Sequence, residues 1–347
     1  MTESTKMAKQ ISWIGDDFRA AFTSYLQSGN INFLIGSGAS MPAISVAFDI
    51  ETQIDALVRA GNIQEANAIA YGFIRDLIAG SSAGNENPNG AMTLEAYKQF
   101  IAALDQILFA RKSSLLPRQA TIFTTNYDPF IARACSQTAG LVLNDGFERT
   151  SETPLSQTFR PERFFDRTYR AGSVFGRKSE LPTVNLVKLH GCLSWVKEDS
   201  SIFLRSDELN TLSDADSKNP VKVEEFLVRC FLILPNFRKF HDTLFERVYY
   251  DQLRIFANSF EQENALLIAI GFSFRDEHIL EITKRALRNP TSQIVLPAYD
   301  AAAADDFLKA FEHQSNVLVA VPEDGEIINL STFASLLSSV SPLDAPK

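Results

Sequence analysis

Three apolar runs that lie far apart in the chain each end in residues that could bind a nucleotide or move a proton. These end residues are Gly36-Ser37-Gly38-Ala39-Ser40, Thr125-Asn126-Tyr127-Asp128 and His190-Gly191. A glycine turn lets the backbone approach a phosphate, an amide or carboxylate can orient ribose hydroxyls or water, and a histidine can transfer protons near neutral pH. Apolar runs suit buried parallel strands, and ligands bind at the carboxyl edge of such sheets. The segments therefore predict one site for a dinucleotide and a proton-transfer group.

Each segment also has a purely structural interpretation. The glycine pair could be a simple strand-to-helix turn, and the third glycine of a dehydrogenase fingerprint would fall on Met41, so a Rossmann dehydrogenase is disfavoured. Asp128 could cap a helix that has Pro129 at its first position. A lone histidine such as His190 is often structural. The residues alone leave these alternatives open.

A fourth apolar run, 265–270, leads into Gly271-Phe272-Ser273-Phe274-Arg275-Asp276. Ser273 and Asp276 have the spacing of a capping box, which predicts that Ser273 caps the helix that follows.

The alternation of apolar runs and amphipathic stretches predicts the fold class. We expect strands at 31–35, 120–124, 141–143, 184–189, 265–270, 293–296 and 317–321, and helices at 13–27, 44–79, 93–113, 130–137, 240–260 and 275–287. This order is typical of an α/β fold with a Rossmann-like, doubly wound parallel sheet. With 347 residues and 45% hydrophobic content, residues 1–347 can bury the core of a single domain. The remaining expectations are a helical insert at about 44–118, a loop at 80–90, an irregular insert at about 145–183 and a flexible tail at 338–347.

Composition disfavours several classes of function. The net charge of −9 argues against direct nucleic-acid binding, which needs clustered basic residues. Four arginines between 160 and 170 do cluster, and we interpret them as a solvated loop or an interface. No apolar run approaches the roughly 20 residues of a membrane helix, and the first ten residues lack a signal-peptide pattern. We therefore expect a cytoplasmic protein that does not enter a membrane.

The cysteines argue against a structural metal. Cys135, Cys192 and Cys230 form no Cys-x-x-Cys pair, so a zinc ribbon and a disulfide framework are both disfavoured. We expect three buried thiols and no metal requirement.

Four motifs together resemble the sirtuin-like NAD-binding domain family. They are Gly-Ser-Gly-Ala-Ser at 36–40, Thr-Thr-Asn-Tyr-Asp at 124–128, Lys-Leu-His-Gly at 188–191 and Ile-Gly-Phe-Ser-Phe-Arg-Asp-Glu-His at 270–278. They occur in the family's order and look like its bacterial branch, which is often found in antiphage defence. Two departures distinguish the chain from sirtuin deacylases. Met41 to Ser45 replaces their Gly-Ile-Pro-Asp-Phe-Arg segment, and Thr125 replaces their glutamine.

The resemblance implies NAD as substrate and assigns roles to residues of this sequence. Asn126 and His190 would be catalytic, and the residues implied to contact NAD are Gly36, Ser37, Gly38, Ala39, Ser40, Thr125, Asp128, Gly271 and Ser273. The activity expected from this is that of an NAD glycohydrolase (an NADase), serving as an antiviral defence effector that depletes NAD. The alternatives are an NAD-dependent protein deacylase and a nucleotide-binding scaffold that assembles with a partner ATPase.

Partners are also expected. Members of the resembled family that lack a control region are commonly paired with another protein, often a DNA-translocating ATPase of the HerA type. We therefore expect a homo-oligomer and a partner ATPase. The candidate contact surface is segment 150–182, which holds Phe159, Phe164, Phe165 and Tyr169.

Overall fold

The structure is a computed structural model that describes most of the chain. The described residues are 7–45, 48–83, 86–111, 116–149, 156–172, 176, 178–198, 201–205, 211–232 and 243–340. Numbered along the chain, the strands are β1 (Lys9–Ser12), β2 (Asn30–Ile35), β3 (Gln119–Thr124), β4 (Val142–Asn144), β5 (Phe147–Arg149), β6 (Ser156–Phe159), β7 (Tyr169–Ala171), β8 (Lys178–Glu180), β9 (Thr183–Lys188), β10 (Gly191–Glu198), β11 (Ser201–Arg205), β12 (Cys230–Leu232), β13 (Ala265–Ile270), β14 (Gln293–Pro297) and β15 (Val317–Val321).

The helices lie between the strands along the chain, with three in succession between β2 and β3. They are α1 (Asp16–Ser28), α2 (Phe48–Arg59), α3 (Ile63–Ser81), α4 (Pro88–Ala110), α5 (Phe130–Ser136), α6 (Pro220–Arg229), α7 (Thr243–Phe260), α8 (Glu277–Ala286), α9 (Ala301–Ala310) and α10 (Leu330–Ser339).

Eight parallel strands form the main sheet, in the order β1-β15-β14-β13-β2-β3-β9-β4. The chain leaves the central strand β2 for β3 on one side and reaches β13 on the other side much later. This reversal is the topological switch point at which open α/β sheets bind ligands. The predicted α/β fold with a doubly wound parallel sheet is confirmed.

Helices cover both faces of this sheet, because its central strands are apolar on both sides. In β2, Phe33 enters the core of one face and Leu34 the core of the other. The first core contains residues of α1, α2, α3, α4, α5 and α10, and the second contains residues of α7, α8 and α9. All six residues of β13 and of β9 are buried, as expected for strands sandwiched between helix layers.

The helices between β2 and β3 differ in their boundaries from the prediction. The stretch 44–79 forms two helices, which Gly61 separates with a φ of 81°. The predicted loop 80–90 is shorter, since α3 continues to Ser81 and α4 begins at Pro88. Asn87 explains the early start of α4: its side chain accepts from the amide of Gly90 and donates to the carbonyl of Ser82. This is helix capping with proline at the first helical position.

The segment predicted to be irregular, 145–183, instead carries the short strands β5 to β8. Strands β5 and β6 join β10, β11 and β12 in a second, antiparallel sheet of order β12-β10-β11-β6-β5, and β7 pairs with β8. These strands have three or four residues, too few to show an alternating pattern. Their aromatic residues provide the packing instead: the rings of Phe147 and Phe159 lie 5.2 and 5.5 Å from Trp195.

The predicted flexible tail and the predicted absence of a membrane helix can also be compared with the structure. Helix α10 includes Ser338 and Ser339 of the predicted tail, while 341–347 lie outside the described residues. Across the described ranges, no helix has the length and apolar character needed to cross a membrane.

Candidate active site

The predicted site residues converge because four neighbouring strands end at one level. The register aligns the last residues of these strands in the sequence β13, β2, β3, β9, namely Ile270, Ile35, Thr124 and Lys188. Backbone hydrogen bonds continue this alignment past the strands: Gly36 donates to Ile270 at 3.0 Å and Leu189 donates to Thr124 at 2.8 Å. The structure therefore brings the four sequence motifs together at the carboxyl edge, around the switch point.

The glycines of the first and fourth motifs hold two backbone loops in contact. A Cβ on Gly36 would lie 2.7 Å from Cα of Phe272, and a Cβ on Gly271 would lie 2.7 Å from the carbonyl carbon of Gly38. Gly271 also has a φ of 60°, which disfavours other residues. The packing of the two loops thus requires glycine at these positions.

Two backbone amides of the glycine loop, which was predicted to bind a phosphate, take part in hydrogen bonds within the protein. Gly38 donates to the carbonyl of Gly271 and Ala39 to that of Gly36, both at 3.0 Å. Ser37 is half-buried and Gly38 is exposed, so these two residues are the accessible part of the loop. Thr125 is half-buried, and Gly271 and Ser273 are exposed at the same edge.

A buried polar network lies behind the glycine loop. The hydroxyl of Ser40, which is fully buried, donates to Oδ2 of Asp128 at 2.8 Å and lies 3.0 Å from the hydroxyl of Tyr97. Burial, reinforced by the charge of Asp128, raises the pKa of Tyr97, so the phenol stays neutral. Oδ1 of Asp128 accepts from the amide of Phe130 and forms a local turn ahead of α5. The predicted cap is wrong, because the N-cap of α5 is Pro129 and the helix begins at Phe130. Ser40 and Asp128 therefore support the loop from below.

Asn126 connects this network to the glycine loop. Its Nδ2 donates to the carbonyl of Gly36 at 2.9 Å and to Oγ of Ser40 at 3.0 Å. Its Oδ1 is buried and accepts no hydrogen bond from any described residue. Lys188, buried at the end of β9, donates from Nζ to the backbone carbonyls of Asn126 and Asp128 and fixes the turn between them. Asn126 is thus held rigidly with one unused acceptor.

His190 faces a carboxylate from the fourth motif. Its Nε2 lies 3.4 Å from Oδ2 of Asp276, and the two side chains are 16% and 23% exposed. Burial alone would raise the pKa of Asp276, but the hydrogen bond and charge of His190, together with the amide of Ile279 and the charge of His278, outweigh burial and hold that pKa below its usual value. Asp276 is therefore ionised and can orient the imidazole.

The helix cap differs from the prediction. Asp276, and not Ser273, is the N-cap of α8, because its Oδ1 accepts from the amides of His278 and Ile279. The capping-box spacing concealed the second role of Asp276 beside His190, and no sequence signal linked the two residues across 86 positions of chain.

Two tyrosines complete the surroundings of the histidine. The ring of Tyr127 lies 6.4 Å from that of His190. Burial, together with the charge of Asp276, raises the pKa of Tyr249 on α7 to about 12. His190 is therefore surrounded by the carboxylate of Asp276 and by two tyrosines, of which Tyr249 is a neutral phenol. The sequence analysis did not identify Tyr97, Lys188, Tyr249 or the role of Asp276 beside His190.

The three cysteines are free thiols. Cys135 and Cys192 are buried, whereas Cys230 is half-buried and not fully buried as expected. Within the described ranges, no group of three or more His, Cys, Asp or Glu residues is arranged to hold a metal ion. The absence of a metal requirement remains a prediction. Of the other histidines, His278 and His313 are exposed and His241 lies outside the described residues.

Comparison with protein families identifies part of this architecture. A family model described as a SIR2-like domain matches residues 120–319, more than half of the chain. The match begins at β3 and contains Asn126, His190 and Asp276, whereas the glycine loop at 36–40 precedes it. The chain has no match among curated proteins.

Proposed function

Since the chain belongs to the family of SIR2-like domains, which implies an NAD-related activity, we propose that it hydrolyses NAD⁺ to nicotinamide and ADP-ribose. One observation carries the proposal: a histidine paired with an ionised carboxylate lies at the switch point of the sheet, beside the motif of Asn126. That arrangement supports proton transfer next to a bound dinucleotide.

The reaction breaks the bond between C1′ of the nicotinamide ribose and the ring nitrogen. The bonding electrons leave with nicotinamide, which becomes neutral, and positive charge develops on the ribose. Water attacks C1′ and forms the new C–O bond, and a base accepts the proton that water releases. A site for this chemistry has to orient the ribose, place the water and stabilise positive charge.

The residues supply the base and the group that orients the ribose or the water. Asp276 accepts from Nε2–H of His190, which favours the tautomer whose lone pair is on Nδ1. His190 then takes the proton from water or from a ribose hydroxyl at Nδ1. The unused Oδ1 of Asn126 accepts from a ribose hydroxyl or from the water. The negative charge of Asp276 stabilises the imidazolium that results.

Nicotinamide release tests the proposal. The full chain is incubated with NAD⁺, and nicotinamide and ADP-ribose are quantified by chromatography with and without an acetyl-lysine peptide. Hydrolysis gives both products without the peptide, whereas a deacylase needs the peptide and forms acyl-ADP-ribose. His190→Ala should abolish the release, and His313→Ala, which changes an exposed histidine, should not. Release that His190→Ala leaves intact would contradict the role of His190.

We further propose that the protein is a defence effector, and that it acts as a homo-oligomer together with a partner ATPase of the HerA type. In the proposed contact segment, Phe159 and Phe164 are buried, whereas Phe165 and Tyr169 are 70% and 51% exposed. Because Phe165 lines a cavity, Tyr169 on β7 is the better candidate for the contact. Light scattering should show more than one chain per particle, and Tyr169→Ala should shift the distribution toward monomer. A monomer that is fully active and insensitive to an added ATPase would contradict this extension.

A further inference from the structure

A cavity of about 200 Å³ lies at the amino-terminal edge of the main sheet, opposite the edge that holds His190. Its lining includes Asn32 of β2, Thr121 of β3, Asn185 of β9 and the neighbouring Phe164 and Phe165. The volume is smaller than the roughly 300–1,000 Å³ of pockets for drug-sized ligands. A single planar ring system is the appropriate size for this space.

The cavity contains a polar row that interrupts an apolar face. The register places Asn32 beside Thr121, and Thr121 beside Asn185, on adjacent strands. Two residues further along β2, the same face continues with Leu34, which belongs to the buried core. Packing would favour apolar residues throughout this face, so the polar row needs a different explanation.

Each amide in the row leaves one of its two polar atoms without a partner among the described residues. Nδ2 of Asn32 donates to the carbonyls of Asn30 and Leu266, and no described residue donates to its Oδ1. Oδ1 of Asn185 accepts from Asn144 at 2.9 Å, and its Nδ2 donates to none of the described groups. Asn32 and Asn185 are each 4% exposed. Neither unused atom is among the fully enclosed atoms without a partner, so both reach the cavity and can bond to what occupies it.

The groups left over define the chemistry of that occupant. An acceptor, a hydroxyl and a donor stand on neighbouring strands, about 4.8 Å apart from strand to strand. The acceptor on Asn32 and the donor on Asn185 are separated by two strand spacings, so they would meet opposite sides of one ring. Adenine has its amino donor and a ring-nitrogen acceptor on opposite sides of the six-membered ring. Phe164 and Phe165 add aromatic surface, on which bases stack. We propose that this cavity is a second binding site, for an adenine ring, separate from the proposed NAD site.

Ligand-observed NMR titration of the full chain tests the proposal, with adenine and adenosine as separate probes. Phe165→Ala removes an exposed ring and Thr121→Val removes a hydroxyl that no described residue bonds, so both variants should fold. Phe165→Ala should weaken adenine binding about tenfold, and Thr121→Val about fivefold. Tyr250→Ala is the matched control, because Tyr250 on α7 is 66% exposed against 70% for Phe165; it should bind as the wild type does.

The outcomes show whether the ligand is free adenine or the base of a nucleotide, and whether adenine binds in this cavity at all. Binding of adenine alone assigns the site to the free base, and equal binding of adenosine assigns it to the base of a nucleotide. No binding of either probe at millimolar concentration means that water fills the cavity, and the proposal is wrong. Affinity that both variants leave unchanged would place adenine elsewhere on the protein and would also overturn it. Melting temperatures confirm that the variants are folded.

Discussion

Nε2 of His190 lies 3.4 Å from Oδ2 of Asp276, and Oδ1 of the same carboxylate caps α8. One side chain therefore starts a helix and orients the imidazole. The two roles can be separated, because asparagine caps helices as well as aspartate does but carries no charge. Asp276→Asn tests the charge while it keeps the cap.

We expect Asp276→Asn to lower the turnover of NAD⁺ by about 10²-fold, the lower end of what general acid–base catalysis contributes. The fold should persist, since α8 keeps its cap. Nicotinamide release measures the turnover. Asp300→Asn is the matched control, because Asp300 caps α9 by accepting from Ala303 at 2.8 Å. Equal activity of the two variants would show that Asp276 has no role beyond capping.

Acid should remove the stabilisation that Asp276 provides. In the folded protein the pKa of Asp276 lies below its usual value, since the interactions with His190, the amide of Ile279 and His278 together outweigh burial, and in the unfolded chain it is about 3.9. A lowered carboxyl pKa stabilises the fold above the unfolded value, and this contribution is lost as the pH falls through the folded pKa. The free energy of unfolding should therefore differ between wild type and Asp276→Asn at about pH 5, and the difference should shrink toward about pH 3. Urea denaturation at the two pH values measures it; a constant difference would contradict the pairing with His190.

Gly271→Ala should disrupt the contact between the two glycine loops. The new Cβ would lie 2.7 Å from the carbonyl carbon of Gly38, and the backbone φ is 60°. Gly325→Ala isolates the cost of the left-handed backbone, because Gly325 has a φ of 83° and open space around it. We expect about 1 kcal/mol of destabilisation for Gly325→Ala and about 3 kcal/mol or more for Gly271→Ala. Thermal and urea unfolding compare the two, and equal costs would mean that the loops are not tightly packed.

The positions of the site residues were predictable because strand ends carry a local signal. Continuous apolar runs marked β2, β3, β9 and β13, and a parallel sheet brings their carboxyl ends to one edge. The convergence of Asn126 and His190 follows from that rule alone. The antiparallel strand β10 was missed, because its sequence mixes polar and apolar residues without strict alternation.

The contacts that the site residues make with the rest of the protein were harder to predict from the sequence. Tyr97 on α4 reaches Ser40 across 57 positions, and Asp276 reaches His190 across 86 positions. Contacts of this kind depend on how helices pack, which no local pattern encodes. The capping-box spacing of Ser273 and Asp276 assigned the cap to the wrong residue, and it also hid the contact of Asp276 with His190.

Asn126→Ala should lower the turnover of NAD⁺ by about 10²-fold, the effect of losing a group that positions substrate. The change also removes the hydrogen bonds to Gly36 and Ser40, so we expect a loss of about 1–3 kcal/mol in the free energy of unfolding. Asn316→Ala separates the two effects, because Nδ2 of Asn316 donates to backbone carbonyls at the opposite edge of the sheet, including that of Ser292 at 2.8 Å. It should destabilise the fold to a similar degree and keep the turnover per folded molecule. If Asn126→Ala instead stays within about twofold of wild type once the folded fraction is taken into account, Asn126 only supports the loop, and its unused Oδ1 does not meet the substrate.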